Sequence, residues 1–322
     1  MIQWLNAAGV LAALALSLSL PVVLVERATG TGSATFQPKP LSRPVTERLP
    51  GNQLAVRDAS GRAVPIARYA RIASASTASD ALLLELVEPT RIVAFTEYGA
   101  EHSWQAYRYA GKPTIAAVDD LERVLSLKPD LVVLSSPGAI SKVARLEEAG
   151  LVVFDLGPQS GVDAFVDGAR RLGAVLGVAE RAEGFATSFR QRLEHLRAAV
   201  PPDRRLHAMY VAVYGGKLVS AGRGTSYHDV LTYAGLVDVG SRLFAGHPEL
   251  RAEQLLDQDP ELIVSSTGMR DALCGSGALH RLRACRSHGI VEVDGALLGD
   301  SGVGMLPAAE RIHAGAYGGR RR

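Results

Sequence analysis

Two stretches of this chain, LERVLSLKPDLVVLSS beginning at Leu121 and AEQLLDQDPELIVSST beginning at Ala252, repeat one design. Each opens with an acidic residue in a helical pattern, meets a Pro-acid stop, and runs on into an unbroken apolar segment that ends in serine. Proline cannot continue a helix, because it lacks the N–H and its ring clashes with the preceding turn. An apolar run without polar alternation suits a strand covered on both faces, as in a parallel sheet. Its terminal serines then fall at the sheet edge where open α/β folds bind ligands. One such unit in each half predicts two similar lobes across a cleft.

The rest of the chain is consistent with that frame. RIASAS, RIVAF, PTIAA, LVVLSS and LVVFDL are strand patterns, separated by helical patterns in SDALLLELVE, DDLERVLSLKPD and SKVARLEEAG and by one long loop with room for a short helix through HSWQAYRY. Asp119 or Asp120 is available to cap the second of these helices. A sustained helical pattern then fills 161–200, divided near Gly177 and stopped by Pro201 and Pro202. Alternation resumes with LHAMYVAVYG, KLVSAG, LIVSST and GIVEVDG as strands among helices in SYHDVLTYAGL, RAEQLLDQDPE, SGALHRLRAC and LPAAERIHAGAY. The expected fold is therefore α/β, with two lobes built on central, mainly parallel sheets and joined by a long interdomain helix. The expected boundaries are a lobe over 66–172, a connecting helix over 173–201, a second lobe over 202–317 and a tail over 318–322.

Composition narrows the function. Of 322 residues 47% are hydrophobic and 21% charged, which excludes a disordered chain and a polytopic membrane protein. Net charge is +2, and the one basic block is Arg320, Arg321 and Arg322, so a nucleic-acid partner is not expected. From Ala7 to Val25 the chain carries no charge, and a Gly, Thr and Ser-rich stretch follows. Residues 1–34 are expected to be an export signal cleaved near Ala34 or a retained anchor, and either places the rest outside the cytoplasm. Residues 35–65, with Pro38, Pro40, Pro44 and Pro50, read as a linker with room for a hairpin at QLAVRDASGRAVPI. The two cysteines, Cys274 and Cys285, are too far apart for a redox CxxC pair and suit either a local disulfide in that compartment or two separate buried thiols.

The chain also resembles a known family, the helical-backbone (class III) periplasmic substrate-binding proteins that serve ABC importers of haem, cobalamin or ferric siderophores. The likeness runs from about Arg71 to Tyr317. RIASASTASDALLLELVEPTRIVAF, LERVLSLKPDLVVLSS, LVSAGRGTSYHDVLTYAGLVDV and AEQLLDQDPELIVSS carry it, in that order. The resemblance implies a monomeric binding protein without a catalytic cofactor, whose ligand is an iron complex or tetrapyrrole. Its partners would be that small molecule and the importer's membrane subunits. It further implies that Glu122 and Glu253 dock on arginines of the importer, although a glutamate at a helix start is also what the helix dipole favours. Ligand contacts would come from loops at the strand ends: Ser76 and Thr77, Tyr98, and Ser135 and Ser136 beside Pro137 in the first lobe, then Tyr214, His247 and Asp300 in the second.

Tyr98 and His247 stand out among these, since a phenolate and an imidazole from opposite lobes can both ligate haem iron. They can equally stack on a flat ligand, pack on the surface or sit in an ordinary turn. His102, Trp104 and Tyr107 are second choices, His228 reads as a capping or solvated residue, and Arg223 and Arg270 lie in rim loops. Ala116 and His247 stand where cobalamin binders carry tryptophan, and IAAVDDLERV lacks the tyrosine of many haem binders, so the ligand stays open among the three classes. Two other functions fit the same fold: a membrane-anchored sensor or assembly protein, and a doubly wound enzyme. The second is opposed by the lack of GxSxG, HExxH, P-loop and GxGxxG patterns.

Overall fold

The computed structural model describes residues 44–116, 120–135, 140–275 and 277–318. The apolar run before residue 34, Asp119, Ser136, Pro137 and the terminal arginines lie outside the described residues.

The first lobe is a five-stranded, wholly parallel sheet. Its strands are β4 (Ile72–Ser74), β5 (Ile92–Thr96), β6 (Thr114–Ile115), β7 (Leu131–Leu134) and β8 (Val153–Asp155), and their spatial order is β6-β5-β4-β7-β8. All four residues of β7 are buried, as its unbroken apolar run requires. Val132 and Leu134 share one core cluster with Ala73, Ala94, Ile115, Val124 and Val143, which joins the sheet to the helices Leu121–Ser126 and Ile140–Glu148.

Preceding this lobe, the segment expected as a linker over 35–65 holds from residue 44 the hairpin anticipated at 53–66 and one further strand. Strands β1 (Thr46–Arg48), β2 (Leu54–Arg57) and β3 (Ala63–Pro65) form a separate three-stranded antiparallel sheet. Ala55 and Val56 are fully buried, and Ala59 N donates to Asp155 O at 2.9 Å, which seats the small sheet on the end of β8. Strands of three or four residues are too short to show a period of their own, and it is this docking that stabilises them.

The second lobe has β9 (His207–Tyr214), β10 (Lys217–Ser220), β11 (Val237–Asp238), β12 (Glu249–Leu250), β13 (Leu262–Ser266) and β14 (Ile290–Val293), in the order β12-β10-β9-β13-β14 with β11 also on β9. Strands β9, β11, β13 and β14 run parallel, whereas β10 is antiparallel to both its neighbours, β9 and β12. The reversal is local: Gly215 and Gly216 take φ of 55° and 79°, a two-residue turn that needs positive φ at both positions. Tyr214 is thereby left at a hairpin tip.

The connection consists of two helices, Val162–Val175 and Ala179–Ala198, broken at Gly177. Ion pairs of Asp163 with Arg190 and of Arg170 with Glu183 hold them antiparallel. Gly161, at the N-cap of the first helix, has no side chain to offer its free N–H groups. The acceptor comes instead from the second lobe: Val162 N donates to Asp229 Oδ2 at 2.7 Å, and Asp229 belongs to the helix Ser226–Tyr233. A second tie crosses between the lobes where Trp104 Nε1 donates to Asp300 Oδ2 at 2.8 Å.

Two glycines test this arrangement in opposite directions. Gly161 has φ of 145°, and a Cβ there would lie 2.2 Å from Asp229 Oδ2, so Gly161→Ala is expected to lower the unfolding free energy by about 2 kcal/mol or more. Gly184, inside the helix Ala179–Ala198, has nothing within 4 Å of such a Cβ, and Gly184→Ala should raise stability by about 0.5–1 kcal/mol. Urea denaturation of both variants beside the parent measures the two effects.

Candidate functional site

In the first lobe the site starts from a buried carboxylate. Asp80 is fully buried in the helix Thr77–Leu86, and it accepts from Thr96 N at 3.1 Å and from the Thr96 hydroxyl. Burial pushes its carboxyl up to about 6, against the hydrogen bonds of Ser74 and Thr96, which favour the charged form. Thr96 Oγ1 in turn accepts from Gly99 N at 3.0 Å, capping a helix over Glu97–His102. Tyr98 therefore stands on a helix where the sequence predicted a loop, because the cap is completed by a carboxylate sixteen residues upstream. Its ring is 66% exposed and lies 4.8 Å from that of His102.

A second aromatic group gathers at the facing strand ends of the other lobe. Tyr210 on β9 is 5% exposed, and its ring stacks on that of Tyr227 at 4.0 Å with 31° between planes. His247, in the loop before β12, meets Tyr227 nearly at right angles, at 83° and 5.7 Å. Burial raises the Tyr227 phenol above its usual range, the Tyr210 hydroxyl opposes the shift, and the Tyr214 and Tyr98 phenols add to it. Tyr98 of one lobe and Tyr214 of the other thus both lie near enough to Tyr227 to bear on its phenol. Both rings are well exposed, Tyr214 at 71%.

The polar residues expected to touch ligand are occupied with holding backbone. Ser76 Oγ accepts from Ser79 N at 3.2 Å as the N-cap of the helix Thr77–Leu86, whose exposed first residue is Thr77. Ser135 Oγ donates to Gly157 O at 2.6 Å. Asp300 accepts from Gly302 N at 2.6 Å and Gly304 N at 3.1 Å as well as from Trp104, so its carboxylate orders a turn and ties the lobes. His228 is also not a solvated cap: its Nδ1 lies 2.8 Å from Oδ2 of the buried Asp238. Burial alone would lower that imidazole, yet the hydrogen bond and charge of Asp238, helped by Asp229, hold it above its ordinary value.

Glu122 and Glu253 occupy the same place in their helices, the exposed second residue of Leu121–Ser126 and of Ala252–Gln258. Cys274 and Cys285 are joined in a disulfide, and both pack against the cluster in which Leu255, from the helix of Glu253, is buried with Leu273, Leu279 and Leu282. A cavity of about 420 Å³ is lined by Trp104, Phe185, Phe189, Arg192, Leu306 and Glu310 and by none of the tyrosines above nor by His247. Sequence reasoning missed Tyr227 and Tyr210. TSYHDV drew attention to its histidine, and the available signal was an aromatic residue directly after the glycine-rich loop that follows a strand.

Comparisons with known proteins agree with this fold. A family model described as periplasmic binding protein matches residues 72–297. The chain is similar to a cobalamin-binding protein of Halobacterium salinarum, at 23% identity over 247 residues covering 76% of this chain and 67% of that one. Among solved structures, the periplasmic haem-binding protein HutB of Vibrio cholerae superposes with a TM-score of 0.67 at 20% identity, over 77% of this chain and 98% of that one. A periplasmic haem-binding protein of Pseudomonas aeruginosa gives 0.64 at 26% identity, over 78% and 94% of the two chains.

The raised carboxyl beneath Tyr98 has a consequence for stability. A carboxyl lifted from 3.8 to about 6 by folding binds its proton more tightly in the native state, so its contribution is fully present below about pH 4 and is lost as pH rises through 6. Asn in its place cannot titrate. Relative to Asp80→Asn, the parent protein is therefore expected to gain stability as pH falls from 7 to about 4, read from urea midpoints across that range.

Proposed function

The chain belongs to the periplasmic binding protein family, and on that premise we propose that it captures a tetrapyrrole outside the cytoplasm and delivers it to an ABC importer. The observation that carries the reading is the convergence of aromatic side chains from both lobes, Tyr98 with His102 on one side and Tyr214, Tyr227 and His247 on the other. Rings of this kind offer large, flat, weakly polar surface to a macrocycle, with phenol and imidazole groups at their edges. That the relatives are named for cobalamin and haem supports the ligand class. Haem is the favoured member, because Tyr98 and His247 supply two groups able to reach its iron.

Function here is differential affinity, with the ligand taken up and released chemically unchanged. Ligand held against both aromatic groups favours the arrangement of lobes in which both reach it, and the importer reads that arrangement. Glu122 and Glu253, one exposed carboxylate on each lobe at matching helix positions, are the proposed contacts with basic residues of the importer's membrane subunits.

Titration with haemin, cobalamin and a ferric siderophore, followed by absorbance and tryptophan quenching, tests the ligand. Haemin is expected to bind with a shifted Soret band that is lost in Tyr98→Phe or His247→Ala. Retention of the shift in both variants would remove this ligand pair. For the docking surface, Glu122→Arg with Glu253→Arg should leave ligand affinity unchanged and abolish ligand-stimulated ATP hydrolysis by the reconstituted importer. Unchanged stimulation would rule that surface out.

A further inference from the structure

We infer that Tyr227 is a specificity-determining residue through which the second lobe selects a flat macrocycle with open faces, and that Tyr210 is its positioning residue. The inference rests on the tetrapyrrole reading above.

Three neighbours fix the Tyr227 ring. Tyr210 lies beneath it at 4.0 Å, His247 presents its ring nearly perpendicular at 5.7 Å, and the Tyr227 hydroxyl is 3.9 Å from where a side chain on Gly299 would begin. Tyr210 is almost wholly buried while Tyr227 is half-buried, so the accessible surface of this stacked pair belongs to Tyr227. A ring held this way loses little conformational freedom when a ligand stacks on it. It cannot turn aside to admit a bulkier one, because Tyr210 and His247 close two sides.

Its place in the stack separates its role from that of a metal ligand: seated on the buried Tyr210 and flanked by His247, Tyr227 offers a face for the ring, whereas Tyr98 and His247 are the groups proposed to reach the metal. A porphyrin presents open planar faces to such a surface. A corrinoid shields its faces with amide arms and a nucleotide tail, so it gains less from the same contact.

The test uses haemin, metal-free protoporphyrin IX and cyanocobalamin as probes, with Tyr227→Ala, Tyr227→Phe, Tyr210→Leu and Tyr210→Phe. Tyr227→Ala is expected to weaken haemin and protoporphyrin IX alike, by about tenfold, without moving the Soret maximum of the haemin complex. Tyr227→Phe should retain porphyrin binding. Tyr210→Leu should weaken porphyrin binding in the parent and add nothing in the Tyr227→Ala background, with Tyr210→Phe restoring it. Equal porphyrin affinity in Tyr227→Ala and the parent overturns the inference, as does loss of the Soret shift in Tyr227→Phe. Additive effects at the two positions overturn the role of Tyr210. A parent protein that binds cyanocobalamin but neither porphyrin overturns the selection while leaving the tetrapyrrole reading intact. One that binds none of the three ends that reading at the first titration, before any variant is made.

Discussion

The helix that leaves the first lobe begins with a donor that its own sequence cannot satisfy. Gly161 is the N-cap and carries no side chain, so Val162 N is met by Asp229 of the other lobe at 2.7 Å. A buried N–H without a partner costs about 1–3 kcal/mol, which makes this one contact a condition on how the lobes sit. It also explains why the position must be glycine, since a Cβ would enter the carboxylate. Asp229 is lifted to about 6, by burial first and by Asp163 in addition, although Val162 N, His228 and Arg190 favour its charge. The Trp104 to Asp300 bond makes the second crossing. With both in place, the two lobes are tied to each other at two points.

That junction accounts for the character of the site. The small polar residues at the strand ends are used up in capping and turn formation, as Ser76, Ser135 and Asp300 are. The rings remain available to a ligand, and each is seated on something buried. Tyr98 stands on a helix whose cap is anchored through Thr96 to Asp80, and Tyr227 stands on Tyr210. Tyr214 rides a hairpin tip fixed by two glycines. A binding surface assembled from preset rings loses less entropy on association than one assembled from flexible polar chains.

Much of the fold could be read directly from the residues. The repeated helix, Pro-acid stop and apolar strand appear at β7 and β13 as the sequence implies, and the helical stretch is broken near Gly177. Less of the site could be read. The helix of Tyr98 was hidden because its cap depends on a carboxylate in another element. The hairpin of Leu54–Arg57 with Ala63–Pro65 was legible in QLAVRDASGRAVPI, but the third strand, Thr46–Arg48, was hidden because it is held by pairing and docking rather than by its own pattern. Nothing local to Tyr227 marks it, because its setting is made by Tyr210 and His247, which are distant in sequence.

The sequence alone determined most of the strands and helices of the two lobes, where proline and glycine end them, and that each half carries the same helix, Pro-acid stop and apolar strand. These are properties of contiguous residues, expressed as periodicity, apolar runs and backbone restriction. Only the tertiary structure decided which side chains are left exposed and which hold the frame, because those outcomes depend on partners far along the chain. Val162 and Asp229 are 67 residues apart, Trp104 and Asp300 are 196 apart, and the role of each is set by the burial and donors that packing brings to it.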